Sequence, residues 1–203
     1  MFRYAITNRA LFPGDEFQRQ AALVGQASRW IADGIDFIQL REKDLPGAAL
    51  AALAREILQT IALAASPARL LLNSNADIAM ATGAHGVHLP SGAHELSPAE
   101  VRGLYAEAGV PAPIVTVSCH TLEEVRRARD HQVNGILFAP VFEKVVGGEI
   151  VTAGRSLELL HAACLAASPT PVYALGGVTL ENASSCLDAG AEGIAGIRLF
   201  HNI

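Results

Sequence analysis

The stretch IDFIQLREK, residues 35–43, is the part of the chain that most directly predicts the fold. It starts as a short apolar run with β-branched and aromatic residues, as buried strands do, and it ends in Gln39, Arg41 and Lys43. Other short apolar runs end in polar or glycine residues in the same way: 69–72, 86–89, 114–117 and 171–175. Because parallel strands place their carboxyl ends on one rim, we expect these residues to converge there.

The segments between the apolar runs are each long enough for one helix. Strands are expected at 3–7, 36–40, 69–73, 86–89, 113–117, 134–138, 171–175 and 193–197. Helices are expected at 15–33, 48–64, 76–82, 99–108, 121–130, 156–166 and 180–188, and a mobile loop at 143–154. Eight alternations predict an α/β fold, a single (β/α)8 TIM barrel domain over residues 1–203. A doubly wound open sheet is the alternative, but its glycine-rich fingerprint is missing after the first strand.

The end of the chain departs from a regular barrel. Only Leu199–Ile203 stands where an eighth helix normally follows, so the sequence predicts a truncated or missing eighth helix. Apolar surface between the last and first strands would then be uncovered. Large apolar patches usually mark interfaces, and we therefore expect a partner subunit to bury this surface in a homodimer.

Composition excludes several classes of protein. With 51% hydrophobic and 17% charged residues, the chain suits a sheet buried on both faces. The formal charge of −5, without a basic block, argues against nucleic-acid binding. No apolar stretch is long enough to cross a membrane, and the first strand starts too early for a signal peptide. Three cysteines without metal-ligand spacing indicate reduced thiols and a cytoplasmic location.

The end of the second strand predicts an anion-binding group. Gln39, Arg41 and Lys43 share one face because side chains on a strand alternate with a period of two. An arginine fork and a lysine charge can hold a phosphate or diphosphate. The alternative is a solvated pair held in salt bridges by Glu42 or Asp44.

A second anion-binding group is predicted after the last two strands. Gly176 and Gly177 would offer backbone N–H groups, and barrels often bind phosphate in the loops after strands seven and eight. Ile197 and Arg198 end the last strand and would complete this phosphate site. The alternative for the glycine pair is an ordinary tight turn.

One histidine is placed for chemistry near neutral pH. His120 follows Ser118 at the end of the fifth strand, where an imidazole can act as a general acid or base. Its alternative role is a hydrogen bond to the next loop or a helix cap. Cys119 is a poorer candidate for a nucleophile, because adjacent strand residues point to opposite faces. His88, inside a strand, is predicted to be a hydrogen-bonded histidine at the edge of the core.

The rim lacks the carboxylates that a magnesium site needs. The residues after the third strand are Asn73, Ser74 and Asn75, and those after the fourth are 90–93. Asp77 and Glu95 are poorly placed. The sequence therefore predicts no metal and no cofactor.

Taken together, these residues resemble the thiamine phosphate synthase/TenI family over nearly the whole chain. The motifs that carry the resemblance are Tyr4–Thr7, Ile38–Lys43, Asn73, Ala84–Leu89, Ser118–Thr121, Val141–Phe142, Ala174–Val178 and Gly193–Ala195. The resemblance implies a (β/α)8 barrel, often dimeric, that acts in thiamine biosynthesis on a phosphorylated thiazole.

Two branches of the family differ in chemistry. The synthase branch joins hydroxymethylpyrimidine diphosphate to a thiazole phosphate with Mg²⁺. It is expected to have an aspartate at position 74, an acidic residue near 91–93 and a Thr/Lys-rich loop at 143–146. The chain has Ser74, no acidic residue at 91–93 and the sequence EKVV at 143–146. The resemblance to the synthase branch is therefore weakest at its metal and diphosphate contacts.

The other branch is the thiazole tautomerase, which aromatises a carboxythiazole phosphate without a metal. Its proposed acid/base is the histidine that matches His120, and the loop 148–155 is also closer to this branch. Arg198 departs from both branches, since a small serine is usual there.

The sequence thus favours a metal-independent tautomerase. His120 would move the proton, Gln39, Arg41 and Lys43 would orient the substrate, and Asn73, His88 and Ser118 would line the pocket. The alternatives are a thiamine phosphate synthase and a phosphate-ligand binding protein without catalysis.

Overall fold

Eight parallel strands form a closed barrel in the computed structural model, which describes residues 1–92, 96–146 and 149–201. The barrel strands are β1 (Phe2–Ile6), β2 (Phe37–Leu40), β3 (Arg69–Asn73), β4 (Gly86–Leu89), β5 (Ile114–Cys119), β6 (Gly135–Phe138), β9 (Val172–Ala174) and β10 (Gly193–Gly196). They follow chain order around the ring, and β10 pairs with β1 to close it. The predicted TIM barrel is confirmed.

The helices lie between the barrel strands. They are α1 (Glu16–Ala32), α2 (Gly47–Leu63), α3 (Ala76–Thr82), α4 (Pro98–Glu107), α5 (Leu122–Asp130), α6 (Leu157–Ala167) and α7 (Ala183–Asp188). Three of them begin with a reciprocal capping box: Asp15 with Gln18, Ser97 with Glu100, and Thr121 with Glu124. These pairs satisfy backbone N–H groups that the first turn leaves free, which fixes where each helix starts.

Two predicted elements differ in the structure. The loop predicted at 143–154 contains an antiparallel pair, β7 (Lys144–Val146) and β8 (Glu149–Thr152). The helix predicted from residue 180 begins only at Ala183. The reason is local, because Thr179 and Asn182 exchange side-chain to backbone hydrogen bonds of 2.8 and 3.3 Å that close a separate turn. Of the predicted features, Gly147, Gly148, 93–95 and 202–203 lie outside the described residues.

Alternation along the strands separates two apolar regions. One region fills the space between the barrel and its helices, and the other fills the barrel interior with Tyr4, Ile6, Leu71, Leu137 and Tyr173. The interior is packed at its centre, so a ligand can reach inward-pointing side chains only near the carboxyl ends of the strands.

The chain after β10 covers part of the surface that the sequence analysis left to a partner subunit. In place of a helix, the described residues 197–201 form a turn. Phe200 is 1% exposed, and its carbonyl oxygen accepts hydrogen bonds from Trp30 and Gln26 of α1. Phe12 and His201 pack nearby in a tilted arrangement, with ring centroids 4.7 Å apart. Phe200 thus covers part of this surface within the same chain, and the homodimer stays a prediction.

Among the described residues, the helices are all too short or too polar to span a lipid bilayer.

Candidate active site

A pocket of about 220 Å³ opens at the carboxyl ends of the barrel strands. Its lining brings together eight side chains that the sequence analysis selected: Gln39, Arg41, Lys43, Asn73, His88, Ser118, His120 and Ile197. The rest of the lining consists of Ile6, Pro90, Ser91, Leu137 and Leu175. Five strands therefore contribute selected residues to one mouth, as parallel closure of the barrel requires.

A larger cavity of about 480 Å³ lies beside this pocket and shares Pro90, Ser91 and Ser118 with it. Its walls include Gly92 and Leu96, which flank residues outside the described ranges. The smaller pocket holds His120 and both rim cations, so it is the candidate active site.

His120 presents one nitrogen to a backbone carbonyl. Its Nδ1 lies 2.7 Å from the carbonyl oxygen of Ala139. Because a carbonyl oxygen only accepts, Nδ1 donates and therefore carries the proton. Nε2 of the neutral ring then keeps its lone pair, and it has no hydrogen-bond partner among the described residues. The ring is arranged as a base at Nε2.

Arg41 and Lys43 are free of ion pairs within the described part of the chain. The alternative in which Glu42 or Asp44 neutralises them does not occur, because both carboxylates bind Arg9 instead. Arg9 Nη1 lies 3.0 Å from Glu42, and Nη2 lies 2.8 Å from Asp44. The pocket mouth therefore carries two uncompensated cations.

Arg9 is the residue that sequence reasoning missed. It follows β1, is 7% exposed, and also binds Glu16 at 2.7 Å. Its backbone N–H donates to Glu42, whose carboxylate is thereby turned away from the pocket. The hydrogen bond with Arg9 lowers the pKa of Asp44 to about 2. Its position after a strand could have marked Arg9 as a rim residue, but nothing in the sequence indicates which acids it would bind.

Gln39 and Asn73 form a buried amide pair at the base of the pocket. Gln39 Nε2 donates to Asn73 Oδ1 over 3.0 Å, and Asn73 Nδ2 donates to Ser74 Oγ. Gln39 Oε1 is buried and has no protein partner among the described residues. A buried acceptor without a partner costs about 1–3 kcal/mol, so this oxygen is available to a ligand donor.

His88 is buried and hydrogen-bonded through both ring nitrogens. Nδ1 lies 2.9 Å from Thr116 Oγ1, and Nε2 lies 2.9 Å from Ser118 Oγ. Burial, and then the positive charge of Arg41, lower the pKa of His88 to about 3. The imidazole is therefore neutral at physiological pH.

This buried imidazole makes stability depend on pH. The unfolded chain protonates His88 near its ordinary pKa of 6.5, whereas the folded chain does so only near 3, so stability falls as the pH drops below 6.5. Between pH 7 and pH 5, wild type is expected to lose about 1–2 kcal/mol more unfolding free energy than His88→Gln. Urea denaturation of both proteins at the two pH values measures this difference. An equal loss in both proteins would contradict a neutral buried His88.

The glycine pair lies beside the pocket rather than in its lining. Gly176 and Gly177 have φ angles of +91° and +66°. A Cβ on them would lie 2.7 Å from Pro140 Cα and from the Glu143 carbonyl oxygen, respectively. These positions therefore need glycine for backbone reasons. Neither glycine N–H donates to an acceptor in the described residues, so both remain available to an anion.

Arg198 does not reach the pocket. Its side chain is exposed, and only the preceding residue, Ile197, contributes to the lining. Its predicted role in the phosphate site beside the glycine pair, which also lies outside the lining, stays a prediction.

Cys119 is not a nucleophile in this arrangement. It points into the layer between barrel and helices and is 2% exposed, and burial raises the pKa of its thiol to about 12. A thiol nucleophile must ionise, which this environment opposes.

The residues at the pocket do not suit a magnesium ion. Mg²⁺ is usually held by one or two carboxylates, whereas the described lining has none and the nearby Glu42 is bound to Arg9. Across residues 1–92, 96–146 and 149–201, no three His, Cys, Asp or Glu side chains cluster as metal ligands. Glu95 lies outside these ranges.

Comparison with known proteins places the chain in a family. The model of the thiamine monophosphate synthase (TMP-TENI) family matches residues 3–200. The thiamine-phosphate synthase of Azorhizobium caulinodans is 30% identical over 95% of this chain and 83% of its own length. The thiamine-phosphate synthase of Anaeromyxobacter dehalogenans is 36% identical over 83% of this chain and 71% of its own length.

A solved structure shows the same fold. Thiamine phosphate pyrophosphorylase from Pyrococcus furiosus superposes with a TM-score of 0.76 at 24% identity, over 97% of this chain and 85% of that protein. The barrel, the pocket at its carboxyl rim and the family match over nearly all residues lead to one conclusion. The chain belongs to the thiamine monophosphate synthase/TenI family, whose members act in thiamine biosynthesis.

Proposed function

We propose that the chain is a metal-independent thiazole tautomerase that aromatises a carboxythiazole phosphate. The observation that carries this proposal is the composition of the pocket: an imidazole with a free Nε2 stands beside two unpaired cations, and no carboxylate is in the described lining. Such a set can move a proton on an anionic substrate without holding a metal ion.

His120 performs the proton transfer in this proposal. Nε2 removes the proton from the ring carbon, the double bond shifts into the ring, and the imidazolium returns the proton to the exocyclic carbon. Bonds and charge balance, because one C–H bond breaks and another forms in the same molecule. The Nδ1 hydrogen bond to Ala139 orients the ring in both protonation states.

The remaining residues hold the substrate. Arg41 and Lys43 attract its carboxylate, and Gln39 and Asn73 contact its polar edge. Gly176 and Gly177, with the backbone at Ile197, bind its phosphate through N–H groups. Arg198 is left out of this assignment because its side chain is exposed and does not line the pocket.

The names of the relatives support a second candidate, a thiamine phosphate synthase. That reaction expels diphosphate from hydroxymethylpyrimidine diphosphate, and Mg²⁺ would stabilise the leaving group. Asn73, Ser74 and Asn75 offer only neutral oxygens where carboxylates would serve best. The relatives favour the synthase and the pocket chemistry favours the tautomerase.

Two assays on the same preparation separate these candidates. Thiazole aromatisation is followed by absorbance with and without a chelator, and diphosphate release is followed with both synthase substrates and Mg²⁺. We expect aromatisation that the chelator leaves unchanged and no diphosphate release. Magnesium-dependent diphosphate release without aromatisation would assign the synthase instead. Absence of both, with binding of the thiazole phosphate by calorimetry, would leave a binding protein without catalysis.

A further inference from the structure

We propose that a one-way chain of hydrogen bonds inside the barrel presents the hydroxyl proton of Ser118 to the pocket. These hydrogen bonds run from Tyr4 through Thr116 and His88 to Ser118. The pocket therefore recognises a ligand that places an acceptor oxygen at Ser118, and it disfavours one that places an N–H or O–H donor there.

The four side chains are contiguous and almost fully enclosed. Tyr4 Oη lies 3.1 Å from Thr116 Oγ1, which lies 2.9 Å from His88 Nδ1. His88 Nε2 lies 2.9 Å from Ser118 Oγ. Tyr4, Thr116 and His88 are no more than 2% exposed, whereas Ser118 is partly exposed and lines the pocket. The hydrogen bonds thus connect the solvent-excluded interior of the barrel to the ligand site.

The direction in which these hydrogen bonds donate follows from the groups at the buried end, Tyr4 and Thr116. The phenol of Tyr4 has Thr116 as its only hydrogen-bond partner among the described residues, and burial raises the pKa of that phenol, so it keeps its proton. The phenol must donate to Thr116 or leave a buried O–H unsatisfied, at a cost of about 1–3 kcal/mol. The proton of Thr116 then has one acceptor left, which is His88 Nδ1.

The imidazole of His88 then determines the direction of the last hydrogen bond, to Ser118. A neutral ring has one protonated nitrogen, so acceptance at Nδ1 places the proton on Nε2. Nε2–H donates to Ser118 Oγ, and the hydroxyl proton of Ser118 is left to point into the pocket. In the reverse direction, either the Tyr4 or the Thr116 proton would have no acceptor. Thr116 and His88 are therefore positioning residues that act through Ser118, whereas Tyr4 only donates to the far side of the Thr116 oxygen.

The ligand class follows from this polarity. A hydroxyl donor, together with Arg41 and Lys43 at the same mouth, suits a carboxylate, phosphate or carbonyl oxygen. On the proposed function that oxygen belongs to the substrate carboxylate, and this identification rests on that proposal. The polarity of the chain does not, because it is determined by protein groups alone.

The tautomer of His88 gives a direct test in the protein without ligand. Long-range ¹H–¹⁵N NMR on protein labelled at histidine distinguishes protonation at Nδ1 from protonation at Nε2. The His88→Gln spectrum identifies which of the seven histidine patterns belongs to His88. We expect the Nε2–H tautomer. The Nδ1–H tautomer would overturn the proposal, whether or not the protein aromatises any thiazole.

Variants test the consequence at the pocket. The probe is the aromatic carboxythiazole phosphate, and its affinity is measured by calorimetry on the full chain. Ser118→Ala is expected to weaken binding about tenfold, since it removes a hydrogen bond to a charged acceptor. Tyr4→Phe is the matched control: Thr116 can still donate only to Nδ1, so the tautomer and the affinity, within about twofold, are retained.

Two results with these variants would contradict the inference. One is unchanged affinity in a folded Ser118→Ala protein, and the other is an Nδ1–H tautomer in Tyr4→Phe. If aromatisation fails in wild type while His88 remains Nε2–H and Ser118→Ala binds the probe weakly, the proposed reaction is wrong and the chain of hydrogen bonds stands.

Discussion

Replacing His120 by alanine is expected to lower kcat for the proposed aromatisation of the carboxythiazole phosphate by about 10²–10⁴-fold, the usual contribution of a general acid or base. The effect appears in kcat rather than in KM, because Arg41 and Lys43 still attract the substrate. His120→Gln is expected to show a comparable loss of kcat, since an amide cannot act as a general acid or base near neutral pH. Steady-state kinetics at saturating substrate provide the measurement.

His161 offers a matched control for this prediction. It is exposed on α6, and its Nδ1 also hydrogen-bonds a backbone carbonyl, that of Ala189, at 3.1 Å. His161→Ala therefore removes an imidazole in a similar bonding state far from the pocket, and we expect unchanged kcat. A His120→Ala enzyme that retains wild-type kcat would exclude His120 as the proton carrier.

Replacing Arg9 by alanine is expected to destabilise the fold by about 3 kcal/mol, because it leaves the Glu42 carboxylate buried without a counter-charge. Asp44, whose side chain is exposed, then becomes free to bind Arg41 or Lys43. The cations lose part of their attraction for the substrate, and KM for the phosphorylated substrate rises about tenfold. Urea denaturation measures the first effect and steady-state kinetics the second.

Two further variants separate charge burial from simple loss of contacts. Adding Glu42→Gln to Arg9→Ala removes the uncompensated charge and should recover a large part of the lost stability. Arg129→Ala breaks an exposed ion pair with Asp130 and a hydrogen bond to the Ala166 carbonyl, and it should cost at most about 1–2 kcal/mol. If Arg9→Ala costs no more than Arg129→Ala, Arg9 does not organise the pocket mouth.

Much of the barrel could be predicted from the sequence, because its signals are local. Strands β3 and β4 and helix α3 have the predicted bounds, since hydrophobic runs, polar ends and helix formers decide them within a few residues. Helices α1, α4 and α5 start within one residue of the predicted positions 15, 99 and 121, where capping boxes fix them. The pair β7 and β8 was missed because it depends on the pairing of two segments that separately look like loop.

The candidate site was partly predictable for a geometric reason. Parallel closure brings every strand end to one rim, so Gln39, His88 and His120 could be grouped although they are far apart in sequence. Gly176 and Gly177 follow the strand β9 as predicted, but the sequence could not show how closely their backbone packs against residues 140–143. Arg198 is predicted to complete the phosphate site, but its side chain is exposed and does not line the pocket, so that role stays a prediction.

The sequence by itself determined the number and order of the barrel strands and the polar residues that follow them, because hydrophobic periodicity acts between close neighbours in the chain. Only the tertiary structure decided that Arg9 binds Glu42 and Asp44, that Phe200 packs beside α1, and that Tyr4 connects to Ser118. These pairings join residues 33 to 174 positions apart. Their energies depend on burial and direction, which exist only after the ring of strands has closed.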